Sequence, residues 1–167
     1  MENRGCVCVV DDAVPFLEGF TRVLAWGGYR VAAYTTAERA FEDIQSEDAD
    51  IEVVVTDVIM PGLTGLELVQ KMRGAGCNKP VVLMSEHLDE DTRELAKEFG
   101  VEEFIRKPFT PEEIFGVLDR IMKNGKVGTF SNAESILDRV KEIRDSLGNA
   151  KSILEKVREI KDSRDYA

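Results

Sequence analysis

Three aspartates, a serine and a lysine each stand at the end of a short apolar run. Asp57 closes Val53-Val54-Val55-Thr56, and a Pro61-Gly62 turn follows Val58-Ile59-Met60. Asp11-Asp12 ends Cys6-Val7-Cys8-Val9-Val10, and two further runs lead into Ser85 and Lys107. Continuous apolar, β-branched runs mark the buried strands of parallel sheets. Ligands in open α/β sheets gather outside the carboxyl ends of those strands. Three acids, a hydroxyl and a lysine at such ends suit a site that holds a divalent cation and accepts a phosphoryl group.

The chemistry follows from the residue types. Neighbouring carboxylates repel and raise one another's pKa, so a cluster of three calls for a cation. Oxygen donors select a hard ion such as Mg²⁺, which keeps waters and leaves room for a phosphate oxygen. A carboxylate is itself a competent phosphoryl acceptor, and positioning with charge neutralisation supplies most of the catalysis. Lys107 would add a second positive charge and Ser85 a hydrogen bond to a phosphoryl oxygen. Taken singly, an acidic pair is usually solvated, a serine caps a strand, and a lysine sits on the surface. Their shared placement sets them apart. Pro108 restricts Lys107 to extended backbone.

The elements that must carry these residues alternate. The pattern predicts strands near 5–10, 29–33, 51–56, 80–84 and 101–105, with helices between them and after the last. Val14, Leu17, Thr21 and Leu24 share one helical face, and Ile114, Val117, Leu118 and Ile121 another. Gly27-Gly28 supplies the left-handed residue that ends the first helix. Thr110-Pro111-Glu112-Glu113 opens the last one as an N-cap, a first-turn proline and a capping box. Five strand–helix alternations imply α/β architecture, a parallel sheet with right-handed crossovers and helices on both faces.

Composition narrows the function classes. A chain of 167 residues, 43% apolar and 32% charged, suits one domain with an appendage. No apolar stretch nears the ~20 residues needed to span a membrane, and no basic-then-apolar leader opens the chain, so a cytoplasmic location is expected. The net charge of −10 is uneven: residues 1–123 hold 24 acids against 13 bases, and residues 124–167 hold 8 against 9. The first segment is a poor nucleic-acid ligand on electrostatic grounds. Nothing after residue 123 resembles a basic recognition helix, so no nucleic acid and no membrane is expected as a partner. Cys6 and Cys8 fall on one face of a predicted buried strand and read as small buried hydrophobes, and no spacing among the three cysteines and His87 resembles a zinc site.

The chain divides into a domain at 1–123, a glycine-bearing linker at 124–130 and a helical extension at 131–167. In the extension Ile136, Val140, Ile143, Leu147, Ala150, Leu154 and Val157 alternate by four and three, the spacing of a coiled coil. The flanking positions offer no attractive pairs, since a parallel dimer would set Arg139 against Arg144. Gly148-Asn149 also allows a helical hairpin, and packing against the first domain is a third arrangement.

At this level of detail the chain resembles the receiver domain of two-component response regulators. Asp11-Asp12, Asp57 with Met60-Pro61-Gly62 and Gly65, Ser85, and Lys107-Pro108-Phe109 carry the resemblance over residues 5–123. It implies a flavodoxin-like, doubly wound, five-stranded parallel sheet in the order 2-1-3-4-5. It further implies that Asp57 receives phosphate from a sensor histidine kinase or a phosphotransfer protein. Asp12, Asp57 and the backbone carbonyl of Ile59 would bind Mg²⁺ with help from Asp11. Lys107 would pair with Asp57 and then its phosphate. Ser85 would be the switch hydroxyl and Phe104 the switch aromatic. Glu86 departs from the small residue usual after the switch hydroxyl, with His87 behind it. A change in homodimer formation, through the domain face, the C-terminal helix or both, is the expected output.

Two other readings start from the same residues. The chain would be the regulatory part of a larger transcriptional regulator whose effector domain is absent. Alternatively, Asp57 would be the nucleophile of a Mg²⁺-dependent phosphohydrolase, although Ile59 stands where such enzymes carry a second acid two residues on. A purely structural adaptor is the non-catalytic limit. On the receiver reading the chain is no enzyme beyond its own phosphotransfer and dephosphorylation.

Overall fold

A computed structural model describes residues 4–46, 50–101 and 103–124. Five strands and five helices alternate: β1 (Cys6–Val10), α1 (Val14–Trp26), β2 (Arg30–Tyr34), α2 (Ala37–Gln45), β3 (Ile51–Asp57), α3 (Gly65–Gly74), β4 (Val81–Ser85), α4 (Glu90–Glu98), β5 (Glu103–Arg106) and α5 (Pro111–Asn124). All strand pairs are parallel and the order is β2-β1-β3-β4-β5. The expected doubly wound sheet is present. The linker and helical extension read at 124–130 and 131–167 lie outside the described residues from 125 onward, and α5 itself includes Asn124.

Each strand feeds both faces, because successive side chains alternate. Cys6, Cys8, Val10, Val54 and Leu83 join Ala40, Ile44, Leu66, Met72 and Leu95 under α2, α3 and α4. Val7, Val9, Val53, Val55, Val82 and Met84 join Leu17, Phe20, Leu24, Ile114 and Leu118 under α1 and α5. Near-continuous apolar strands are what two covered faces require. Cys6 and Cys8 are buried free thiols. Burial pushes the Cys8 thiol up to about 12, which keeps it inert.

The helix ends follow local chemistry. Gly28, at φ 88°, closes α1, with the Tyr29 amide donating to Leu24 and the Gly28 amide to Ala25. Gly27 itself is right-handed. Thr110 and Glu113 form the expected capping box of α5: the Thr110 amide donates to Glu113 Oε2 at 2.7 Å and the Glu113 amide to Thr110 Oγ1 at 3.3 Å. Two sequence expectations are corrected. Val14 is 49% exposed, and the buried stripe of α1 is Leu17, Phe20 and Leu24. α1 opens only after the loop that follows β1, and its first apolar residue is left half covered. β5 begins at Glu103, while Val101 is buried ahead of the strand.

Candidate functional site at the strand ends

Register brings the chemistry together. Val10 pairs with Thr56, Asp57 with Met84, and Ser85 with Arg106. The residues that follow, or end, these pairs are Asp11, Asp57, Ser85 and Lys107, so all of them emerge at the carboxyl ends of the strands. Asp11, Asp12 and Asp57 each offer a carboxylate oxygen, and the three atoms lie within 4.8 Å of one another. Asp11 is fully buried, Asp57 half-buried and Asp12 exposed.

Local hydrogen bonds orient the acids. The Ala13 amide donates to Asp11 Oδ1 at 2.8 Å, a turn in which the carboxylate caps its own loop before α1. Ala13 offers α1 no side-chain cap of its own. The Ile59 amide donates to Asp57 Oδ1 at 3.3 Å. Lys107 Nζ donates to Asp11 Oδ2 at 2.5 Å and to Asp57 Oδ2 at 3.1 Å, so one ammonium spans two acids. The Lys107–Pro108 peptide is cis.

Electrostatics agree with that geometry. Burial holds the Asp57 carboxyl above its ordinary value. The charge of Asp11 adds to the rise, while Lys107 and the Ile59 amide oppose it. Burial opposes the Lys107 charge, but the Asp11 hydrogen bond and the charge of Asp57 outweigh it and raise the ammonium. Oxygen donors packed this closely fit a hard divalent cation, and the exposed Asp12 leaves that side open to solvent and ligand.

The loops around the acids are fixed by side chains. Thr64 and Glu67 form a capping box at the start of α3, and both are buried. Glu38 on α2 accepts the Leu63 amide at 2.8 Å, anchoring the turn after Asp57. Gly65 packs so tightly that a Cβ would lie 2.0 Å from the Asp57 carbonyl oxygen. Ser85 is 2% exposed. Its hydroxyl donates to the His87 carbonyl at 3.0 Å and accepts the His87 amide at 3.2 Å. Phe104 is half-buried with the Arg93 guanidinium 5.2 Å over its ring.

The structure thus collects Asp11, Asp12, Asp57 and Lys107 into one cluster and sets Ser85 at the end of the neighbouring strand. Three further features shape the site. Thr64-x-x-Glu67 was visible as a capping-box pattern. Glu38 gave no sequence signal, because its partner is a backbone amide 25 residues on. Phe16 places its ring centroid 4.2 Å from Lys107 Nζ and reads from sequence as ordinary helix core.

Comparison with known proteins points the same way. The response regulator receiver domain family matches residues 7–119. Response regulator MprA of Mycobacterium ulcerans is 28% identical over 130 residues, which are 78% of this chain and 55% of that protein. Two-component response regulator ORR3 of Oryza sativa subsp. indica is 30% identical over 118 residues, 70% of this chain and 89% of that one. The chain spans about half the length of MprA, and its match covers 20% of a longer Arabidopsis thaliana relative. Chemotaxis protein CheY4 of Vibrio cholerae superposes with a TM-score of 0.66 at 26% identity, over 70% of this chain and 98% of that one. A receiver domain from Clostridium thermocellum, 24% identical, shares the fold with a TM-score of 0.69, over 74% of this chain and 98% of that one. The sheet order, the acids at its strand ends and the matched span coincide over the same residues, and the chain belongs to the response regulator receiver domain family.

Proposed function

We propose that Asp57 accepts a phosphoryl group from a phosphohistidine on a sensor kinase or phosphotransfer protein. The observation that carries this reading is the Lys107 ammonium shared between Asp11 and Asp57 beside a third carboxylate. An Asp57 oxygen attacks phosphorus, the P–N bond breaks, and its electron pair leaves with the imidazole. Asp11, Asp12, Asp57 and the Ile59 carbonyl would hold Mg²⁺, which would supply positive charge to offset the anionic acceptor and phosphoryl group. Lys107 then turns towards the phosphoryl oxygens. Glu86, exposed beside Ser85, adds negative charge near the entrance and slows anionic donors.

Phosphorylation adds about −1.5 to −2 charges, by analogy with other phosphoresidues. Ser85 is drawn from His87 to the phosphate, the loop before α4 moves, and Phe104 turns inward. The groove beside α5, lined by Phe104, Arg106, Lys107, Val117 and Arg120, is where a partner would read the change. That partner is a second copy of the chain or an effector, joined through this face or through the 131–167 segment. The phosphohydrolase reading fares worse, because Ile59 has no proton to transfer and contributes its amide to Asp57.

Acetyl phosphate with Mg²⁺, followed by intact mass, tests the proposal. One added phosphoryl group is expected on the chain and none on Asp57→Ala; equal labelling of both refutes Asp57 as acceptor. Sedimentation with beryllofluoride and Mg²⁺, on the full chain and on residues 1–124, tests self-association. Unchanged profiles in both would remove the second copy as the reader.

A further inference from the structure

Lys107 has a third neighbour that is neither an acid nor a phosphate. Phe16 lies in the first turn of α1, and its half-buried ring is held by two others: Phe20 at 5.5 Å and Phe109, edge-on, at 6.0 Å. Phe20 and Phe109 meet at 5.3 Å, closing the cluster between α1 and the loop after β5. The Lys107 ammonium stands 4.2 Å from the Phe16 ring centroid while donating to Asp11 and Asp57. The Lys107 side chain is 13% exposed. The ring therefore occupies a direction in which water would otherwise solvate the charge.

We propose that Phe16 is a positioning residue that holds the Lys107 ammonium at the acid cluster through the face of its ring. The inference rests on Asp57 being the phosphoryl acceptor. An ammonium is a compact, strongly hydrated charge on a flexible stem, so something other than its carboxylate partners must fix it when those partners change. A hydroxyl or carboxylate in place of the ring would compete for its protons. An aliphatic side chain would exclude water and return nothing. A π face attracts the charge with little demand on the direction of its N–H bonds. The ammonium can turn from Asp11 to a phosphoryl oxygen and stay over the ring. Phe20 and Phe109 keep that ring still, so the lysine pivots and the support does not.

The test uses the full chain and three readouts. By NMR, the Lys107 side-chain methylene protons next to the nitrogen should be shifted upfield by the ring in the wild type and in Phe16→Tyr, and should lose that shift in Phe16→Leu. Labelling by acetyl phosphate with Mg²⁺ should slow by about 2- to 30-fold in Phe16→Leu, the range spanned by cation–π contacts, and recover in Phe16→Tyr. Unfolding midpoints of Phe16→Leu, Lys107→Met and the double variant should be non-additive. Should Phe16→Leu lose its fold, Phe16→Met replaces it, since it also keeps apolar bulk without a ring. A labelled wild type with unchanged rates in Phe16→Leu, additive midpoints, or unshifted Lys107 protons would overturn the positioning role alone. A wild type that takes no label would overturn the reading of Asp57, and this role with it.

Discussion

The Ser85 hydroxyl is closed on itself by His87, donating to the His87 carbonyl at 3.0 Å and accepting its amide at 3.2 Å. A buried hydroxyl with both functions satisfied has no reason to move until a better acceptor appears. A phosphoryl oxygen on Asp57 would be that acceptor, and charge-assisted hydrogen bonds are roughly twice as strong as neutral ones. The His87 amide would then lose its partner.

Backbone NMR should therefore show the His87 amide among the resonances most shifted by beryllofluoride with Mg²⁺. In Ser85→Ala the acceptor remains, so the labelling of Asp57 should persist while the shifts of the β4–α4 loop and Phe104 shrink. Full-size loop shifts in Ser85→Ala would detach the hydroxyl from the switch.

Gly65 makes a sharper structural prediction. Its amide donates to the Val58 carbonyl at 2.9 Å, and a Cβ there would sit 2.0 Å from the Asp57 carbonyl oxygen. Backbone cannot yield that distance without moving either α3 or the end of β3. Gly65→Ala should destabilise the domain by about 1–3 kcal/mol, the usual cost of overpacking, and should slow Asp57 labelling because the acid moves with its carbonyl. Gly74→Ala in the same helix is the control, since nothing lies within 4 Å of a Cβ there. Comparable urea midpoints for the two variants would show that β3 does not depend on that close approach.

These cases also mark what a sequence can disclose. The site acids were legible because a parallel strand buried on both faces must be an apolar run, so its polar terminus stands out at Asp11 and Asp57. The Thr110–Glu113 box was legible for a similar reason: both partners lie within one turn. Register was not, because it is set by packing across the sheet: the chain does not say that Val10 faces Thr56, and so does not say that Asp11 meets Asp57. Spacing puts Val14 on the apolar face of α1, yet it is 49% exposed, because periodicity does not tell how far the packing beneath a helix extends. Phe16 was invisible for a further reason, since a ring under an ammonium and a ring in a core have the same spacing. The heptad pattern from Ile136 onward lies outside the described residues.

Tyr29 supplies a pH dependence away from the acids. Its hydroxyl donates to Asp119 at 3.1 Å, and the Arg4 guanidinium lies over its ring at 4.9 Å. Burial pushes the phenol up to about 12, Asp119 adds to the rise, and Arg4 opposes it. An unfolded tyrosine titrates near about 10. The folded state therefore keeps a proton that the unfolded chain gives up, and stability falls as pH rises from about 10 towards about 12. Urea midpoints over that range should drop more steeply for the wild type than for Tyr29→Phe, which has no proton to lose. Parallel slopes would place the alkaline sensitivity elsewhere.

The last prediction concerns the repulsion among the acids. Lys107 is the cation that touches both Asp11, which is fully buried, and Asp57. Removing one partner of a buried pair costs about 3–5 kcal/mol, because the other charge is left uncompensated. Lys107→Met should therefore lower the melting temperature in the presence of a chelator. Mg²⁺ binding to the folded state alone would add about 2.7 kcal/mol at a concentration 100 times its dissociation constant. The gain should be larger in Lys107→Met than in the wild type, since the ion then relieves repulsion that no ammonium shares. Asp12→Ala and Asp57→Ala, each lacking a donor oxygen, should lose most of the gain, and a chelator should reverse it wherever it occurs. Calorimetry on these four proteins with and without Mg²⁺ checks the ordering; a melting temperature indifferent to Mg²⁺ in all of them would show that the three carboxylates are not a cation site.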